Sequence, residues 1–94
     1  MRKNSFMKSH LDNQFNDAFD EISKLKKALA PDIMLKFYAY NKQANFGNNF
    51  SFKNTMNVRS AFKFNAWMQL KGMPPEEAKK EYIKLANTIL NLKN

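Results

Sequence analysis

Three residues in the middle of the chain, Tyr38, Asn41 and Lys42, are spaced i, i+3 and i+4, which puts them on one face of a helix. Arg59 and Lys63 lie four apart further along, and Tyr82 stands near the end. Tyrosine hydroxyls donate hydrogen bonds, lysine and arginine neutralise charge, and an aromatic ring offers its surface to a base. If the two helix faces meet, two tyrosines and three cations line one site, a set suited to a nucleotide that carries a phosphate. The same residues also fit plainer roles. A helical tyrosine is commonly half-buried core, and lysine every four residues commonly makes a solvated stripe.

Other chemistries lack their parts. His10 is the only histidine, which excludes a histidine-dependent triad and a multi-histidine metal site. Glu76 and Glu77 are sequence neighbours, so on a helix they diverge and read as helix-start charges rather than a catalytic pair. Two isolated glycines do not build a phosphate-cradling loop, and the absence of cysteine removes disulfides and thiolate chemistry. With no nucleophile beside a base, neither an enzyme nor a metal or cofactor is expected.

Charge narrows the ligand to anions. Sixteen Lys and Arg stand against eight Asp and Glu, a net charge of +8 with a pI near 9.8. Such a chain attracts nucleic acid, anionic lipid or a phosphorylated small molecule, and composition does not choose among them. A basic surface that serves solubility alone also fits.

The elements that must position these residues are helical. A chain of 94 residues, 44% apolar, suffices for one domain and one core, and only two glycines and three prolines interrupt it. Phe15, Phe19, Ile22, Leu25 and Leu29 recur at threes and fours, which predicts a first helix starting near Asp12 or Asn13 and stopping before Pro31. The second helix takes Pro31 in its first turn and runs past Met34, Phe37, Tyr38 and Lys42 to about Asn45, with Gly47 as its stop. The Asn-rich stretch from Gly47 to Asn57 reads as a loop packed by Phe50 and Phe52. A third helix is expected over Val58 to Lys71, offering Ala61, Phe64, Trp67, Met68 and Leu70 to the core. The fourth opens at Pro74 and Pro75 with the two acids, and buries Ala78, Tyr82, Leu85, Ile89 and Leu92.

The fold class is therefore all-α, a four-helix bundle. Short joins between the first two helices and between the last two favour antiparallel neighbours, and the long middle join permits a crossover. Residues 1–10 are basic, and no apolar stretch follows them, so they read as a disordered basic extension rather than a secretory signal. Residues 11–94 form the domain. Leu92, the last periodic position, lies two residues from the end, which suggests a free-standing unit. No run has the length of a membrane span, and a cytoplasmic location is expected.

The run YAYNKQANFG from Tyr38 to Gly47 resembles the signature Y-x-x-Y-K-Q-A-T-x-G of the acyl-CoA-binding protein family. KFNAW from Lys63 to Trp67 is similar to its K-W-D-A-W. Leu70 to Gly72, Glu76 to Ala78, and Tyr82 with Ile83 are similar to its L-K-G, E-E-A and Y-I elements. The spacing agrees from about Leu11 to Leu92, with about one residue missing in the middle loop.

The resemblance implies an up-down-down-up bundle with the ligand in a surface bowl. It implies a monomeric, non-catalytic carrier of medium- to long-chain fatty acyl-CoA, without a cofactor. By position, Tyr38 and Lys42 would contact the CoA head near its ribose 3′-phosphate, with Asn41 beside them. Lys63 would complete the phosphate clamp with Arg59 nearby, and Tyr82 would close the site. Met34 and Leu35 fall on the acyl-chain path, and Trp67 on a core position. Transient contact with membranes or acyl-CoA-using enzymes is implied, and nucleic acid is not an expected partner.

Two of the departures from the family pattern bear on charge and stacking at the site. Asn41 replaces the signature's second tyrosine, and Tyr40, about 100° around the helix, does not substitute for it. Ser23 stands where the family has a lysine on its first helix, with Lys24 adjacent and Lys27 one turn on. The alternatives are a basic helical nucleic-acid binder or a protein-interaction module. Against the former, no recognition-helix motif is evident and the basic residues are spread over the whole chain.

Overall fold

A computed structural model describes the backbone of residues 2–49 and 58–93, and the side chains of residues 10–49, 58 and 60–91. It contains four α-helices: α1 Arg2–Ser23, α2 Pro31–Phe46, α3 Val58–Met68 and α4 Pro75–Lys93, with no strand among the described residues. None of these helices is long and apolar enough to cross a membrane. Phe50 and Phe52, expected to pack a loop, and the side chain of Leu92 lie outside the described residues.

Helix α1 departs from expectation at both ends. It starts at Arg2, upstream of the expected caps Asp12 and Asn13, so the segment expected as a disordered extension has helical backbone from Arg2 onward. No glycine or proline precedes Asp12, so nothing there interrupts helix propagation. At the other end the helix stops at Ser23, although the apolar period continues to Leu29. The Ser23 hydroxyl donates to the Phe19 carbonyl at 2.8 Å, competing with the backbone ladder. The Leu25 N–H then bonds Ile22 at 3.2 Å, a three-residue closure that tightens the last turn. Leu25 and Leu29 consequently sit in the linker.

The other boundaries follow local chemistry. Pro31 opens α2, where its missing N–H is no loss, and Asp32 lies in the first turn at the positive end of the helix. Gly47 ends α2 at φ 60° and ψ −135°, its N–H bonding Gln43 at 3.0 Å. Helix α3 stops at Met68, three residues short of the expected Lys71, and passes through tight turns to Met73. Pro75, Glu76 and Glu77 open α4.

Contacts fix the topology. Lys79 bonds Asp12 and Tyr82 meets Phe15, so α1 and α4 run the same way. Gly47 lies beside Pro75 while Phe37 meets Tyr82, so α2 runs against α4. Lys63 lies over Tyr38 and Trp67 bonds Gln43, so α3 runs with α2. The result is an all-α, up-down-down-up four-helix bundle. Helix α4 packs between α1 and α2, and α3 packs on α2. Among the described residues, the backbones of the expected hairpin neighbours, α1 with α2 and α3 with α4, do not approach each other closely. Residues 24–30 are long enough to splay α1 from α2, and α4 fills one side of that gap.

The core centres on Tyr82, with Phe15, Ala18, Phe37, Ala44, Ala78 and Ala86 around it. Ala78 and Ala86, both 0% exposed, flank Tyr82 by one turn each way. Their small side chains let α1 and α2 approach α4 closely on either side of the tyrosine ring. Leu85 and Ile89 are only partly buried, so the α4 seam follows alanine more than leucine.

Candidate functional site

The side of the α1–α2 gap that α4 leaves open is a groove of about 730 Å³. Helix α1 contributes Phe19 and Ile22, and the linker adds Leu25, Ala28 and Leu29. Met34, Leu35, Tyr38 and Asn41 line it from α2, Phe62 and Lys63 from α3, and Tyr82 from α4. Met34, Tyr38 and Asn41 follow one face of α2 at steps of four and three, the spacing that lets one helix supply a continuous wall. Lys27 and Lys63 are the cations among the lining residues, and no acid lines the groove.

At one end the polar groups gather. The Lys63 ammonium lies 5.3 Å from the Tyr38 ring centroid. The Lys42 ammonium lies 4.7 Å from Phe46, 5.6 Å from Trp67 and 5.7 Å from Tyr38. These distances are within cation–π range, so aromatic faces hold both ammonium groups beside the groove. Asn41 lies about 10 Å along α2 from Met34, at 1.5 Å per residue. The groove therefore has an aliphatic stretch and a polar end. Among the described residues no cluster of His, Asp or Glu could hold a metal ion.

Tyr82 forms the groove floor. It is 2% exposed, meets Phe15 edge-on at 5.0 Å and Phe37 at 4.9 Å, and burial pushes its phenol up to about 12. Burial also raises the Tyr38 phenol above its usual range. Both hydroxyls are thus neutral donors at physiological pH. Tyr40 is elsewhere, packed against the core, its phenol raised by burial and then by Glu81. It does not reach the groove, in line with its position around the helix.

Of the residues named from the sequence, Tyr38, Asn41, Lys63, Tyr82, Met34 and Leu35 meet in the groove. Lys42 stands beside it, facing the rings of Phe46 and Trp67. Arg59 lies on α3 one turn before Lys63, and its side chain is outside the described residues. At the Ser23 departure, Lys24 turns outward to Asp20 at 3.5 Å, whereas Lys27 lines the groove. The linker, not α1, thus brings a charge near the vacated position.

Some lining residues were missed. Ile22 and Leu29 pack against the core as their period predicts while also lining the groove, whereas Phe19 and Leu25, on the same period, and Phe62, which no motif marks, line the groove. Phe62 is 60% exposed and Phe19 46% exposed. The available signal was that Phe62 falls off the Ala61, Phe64, Trp67 and Met68 face, an aromatic residue with no core to enter.

Gln43 was also missed. It is 1% exposed and fully paired. It donates to the Met73 carbonyl at 2.7 Å and to Asn48 at 3.1 Å, and accepts from the Trp67 indole at 3.0 Å. This network joins α2, α3 and the turn before α4 behind the polar end. Trp67, 5% exposed, serves packing as expected while its outer face meets Lys42.

Residues 12–86 match the family described as Acyl CoA binding protein. The Acyl-CoA-binding protein of Saccharomyces cerevisiae is 34% identical over 77 residues, covering 81% of this chain and 88% of its own length. The Acyl-CoA-binding protein homolog of Drosophila melanogaster is 37% identical over 71 residues, covering 74% and 83%. In fold, the chain is similar to the crystal structure of Oryza sativa Acyl-CoA-Binding Protein 2, with a TM-score of 0.80 over 88% of this chain and 93% of that one at 24% identity. The chain belongs to the acyl-CoA-binding protein family.

Proposed function

We propose that this chain binds medium- to long-chain fatty acyl-CoA and carries and buffers it in the cytoplasm as a monomer. The observation that carries the reading is the groove itself: Lys63 with Tyr38 at a polar end and Lys42 beside them, an aliphatic wall beyond, and no acid among the described lining residues. Family membership supports acyl-CoA as the ligand, and the family is one of non-catalytic binders, so no bond is made or broken. The working unit is residues 11–94, with residues 1–10 as a basic extension to it.

Tyr38 and Lys42 take the ribose 3′-phosphate of the CoA head, and Lys63 completes the clamp with Arg59 nearby. Asn41 hydrogen-bonds the head, and the neutral Tyr82 hydroxyl closes the site from below. Met34 and Leu35 guide the acyl chain, which leaves water along the groove. Transient contact with membranes or acyl-CoA-using enzymes would load and unload it.

Isothermal titration with palmitoyl-CoA, octanoyl-CoA and free CoA, below micelle-forming concentrations, tests the reading. Each buried methylene contributes up to about 0.8 kcal/mol. At half that value, the eight extra methylenes of palmitoyl-CoA strengthen binding by about 3 kcal/mol, roughly 100-fold over octanoyl-CoA. One-to-one binding that steepens with chain length is expected. Equal affinity for all three ligands would overturn the groove as the acyl path.

A further inference from the structure

The two asparagines of the signature run are paired. The Asn45 side-chain nitrogen lies 2.8 Å from the Asn41 backbone carbonyl and 3.0 Å from the Asn41 side-chain oxygen. This geometry fixes both amide orientations. A backbone carbonyl only accepts, so the Asn45 atom facing it is the NH2 group. The same NH2 group faces the Asn41 amide, which must then present its oxygen. The Asn41 nitrogen is left pointing away, with no bond to another described residue. No buried side-chain nitrogen or oxygen among the described residues lacks a partner, so this nitrogen is open to solvent or to the groove that Asn41 lines.

We infer that Asn45 is a positioning residue: it locks the Asn41 amide so that N–H donors, not the oxygen, face the polar end of the groove and bond an acceptor on the nucleotide part of the ligand. This rests on the acyl-CoA reading. Without the lock, the Asn41 amide rotates freely and half of its orientations present an oxygen, which repels phosphate and ring-nitrogen acceptors alike. The two asparagines stand where the family signature has tyrosine and threonine, so both departures belong to one device, a hydrogen bond in place of an aromatic ring.

Both side chains are at least partly exposed and alanine is the best helix former, so Asn45→Ala and Asn41→Ala should fold. Isothermal titration with palmitoyl-CoA should give about fivefold weaker binding for Asn45→Ala. In an Asn41→Ala background, adding Asn45→Ala should change nothing, because a positioning residue acts only through the residue it positions. Palmitoyl-4′-phosphopantetheine, which lacks the nucleotide, should bind the wild-type and Asn45→Ala proteins equally. A full Asn45→Ala effect in the Asn41→Ala background would overturn the inference, as would an equal loss with the ligand lacking the nucleotide. Wild-type binding that Asn45→Ala leaves unchanged would overturn the inference alone. Absence of binding by the wild-type chain would overturn the acyl-CoA reading and this inference with it.

Discussion

Tyr82 does two jobs with one side chain, filling the core with its ring and turning its edge to the groove floor. Burial accounts for both its packing and its acidity. An ordinary phenol ionises near 10.0, whereas this one is pushed up to about 12. The folded protein therefore favours the neutral form. Stability from this group is fully present below pH 10 and is lost as pH rises from 10 to 12. Tyr82→Phe should abolish that loss. The informative quantity is the difference between the wild-type and Tyr82→Phe unfolding curves, because contributions common to both proteins cancel in it. A difference that stays constant from pH 9 to 12 would mean the phenol is not held back by burial. Asn41 is the second residue whose chemistry sets a measurable quantity. Stacking of a base on an aromatic ring contributes about 1–3 kcal/mol, and a hydrogen bond about 0.5–1.5 kcal/mol. Asn41→Tyr exchanges the second for the first, and the midpoints differ by about 1 kcal/mol, so palmitoyl-CoA should bind about fivefold tighter by titration calorimetry. Equal or weaker binding would show that no base lies over position 41.

At the scale of elements, the sequence was most legible where local rules act alone. Proline at the start of α2 and α4 and glycine after α2 all mark real boundaries, because missing N–H groups and positive φ are local facts. It was least legible where an element ends for a reason that periodicity does not register. The Ser23 hydroxyl competes for a carbonyl in α1, and the apolar letters continue beyond it to Leu29. Those letters belong to a linker that walls the groove. Likewise, Phe19 carries the same letter and period as core residues, and only the packing of α4 between α1 and α2 shows that it faces the groove. Gly47 tests the local rules directly. Its φ of 60° with ψ −135° lies in territory open mainly to glycine. A Cβ there would meet only Pro75, at an ordinary 3.9 Å, so crowding is not the issue. Gly47→Ala should therefore destabilise by about 1–3 kcal/mol through backbone strain alone. Thermal unfolding should show a drop of several degrees. An unchanged midpoint would mean the turn relaxes freely, even though the Gly47 carbonyl accepts the Trp67 indole N–H at 3.2 Å.

For the whole molecule, a net charge of +8 on a chain with a radius of gyration of 14.2 Å creates a positive field that reaches well beyond the groove. The alternative reading of a nucleic-acid binder rested on this same charge, which composition could not assign. Arrangement decides what that charge serves. Lys27 and Lys63 face a groove with an aliphatic wall, a feature useful for an acyl chain and of no use to a phosphate backbone. The basic residues away from the groove and from Lys42 and Arg59 are spread along the chain and contribute mainly to the long-range field. Such a field acts on encounter, whereas close contacts act on residence. Electrostatic steering weakens as the screening length falls, from about 30 Å at 0.01 M salt to about 8 Å at 0.15 M. Stopped-flow mixing with palmitoyl-CoA should then show an association rate constant that drops about tenfold across that range. The dissociation rate should change much less, because the acyl chain and the close phosphate contacts are shielded from bulk salt. Lys80→Glu with Lys84→Glu, two changes on α4 outside the groove lining, should lower the association rate at low salt and leave dissociation as it was. If salt acts on dissociation instead, the charge works by contact at the site and the field of the whole molecule plays no part in capture.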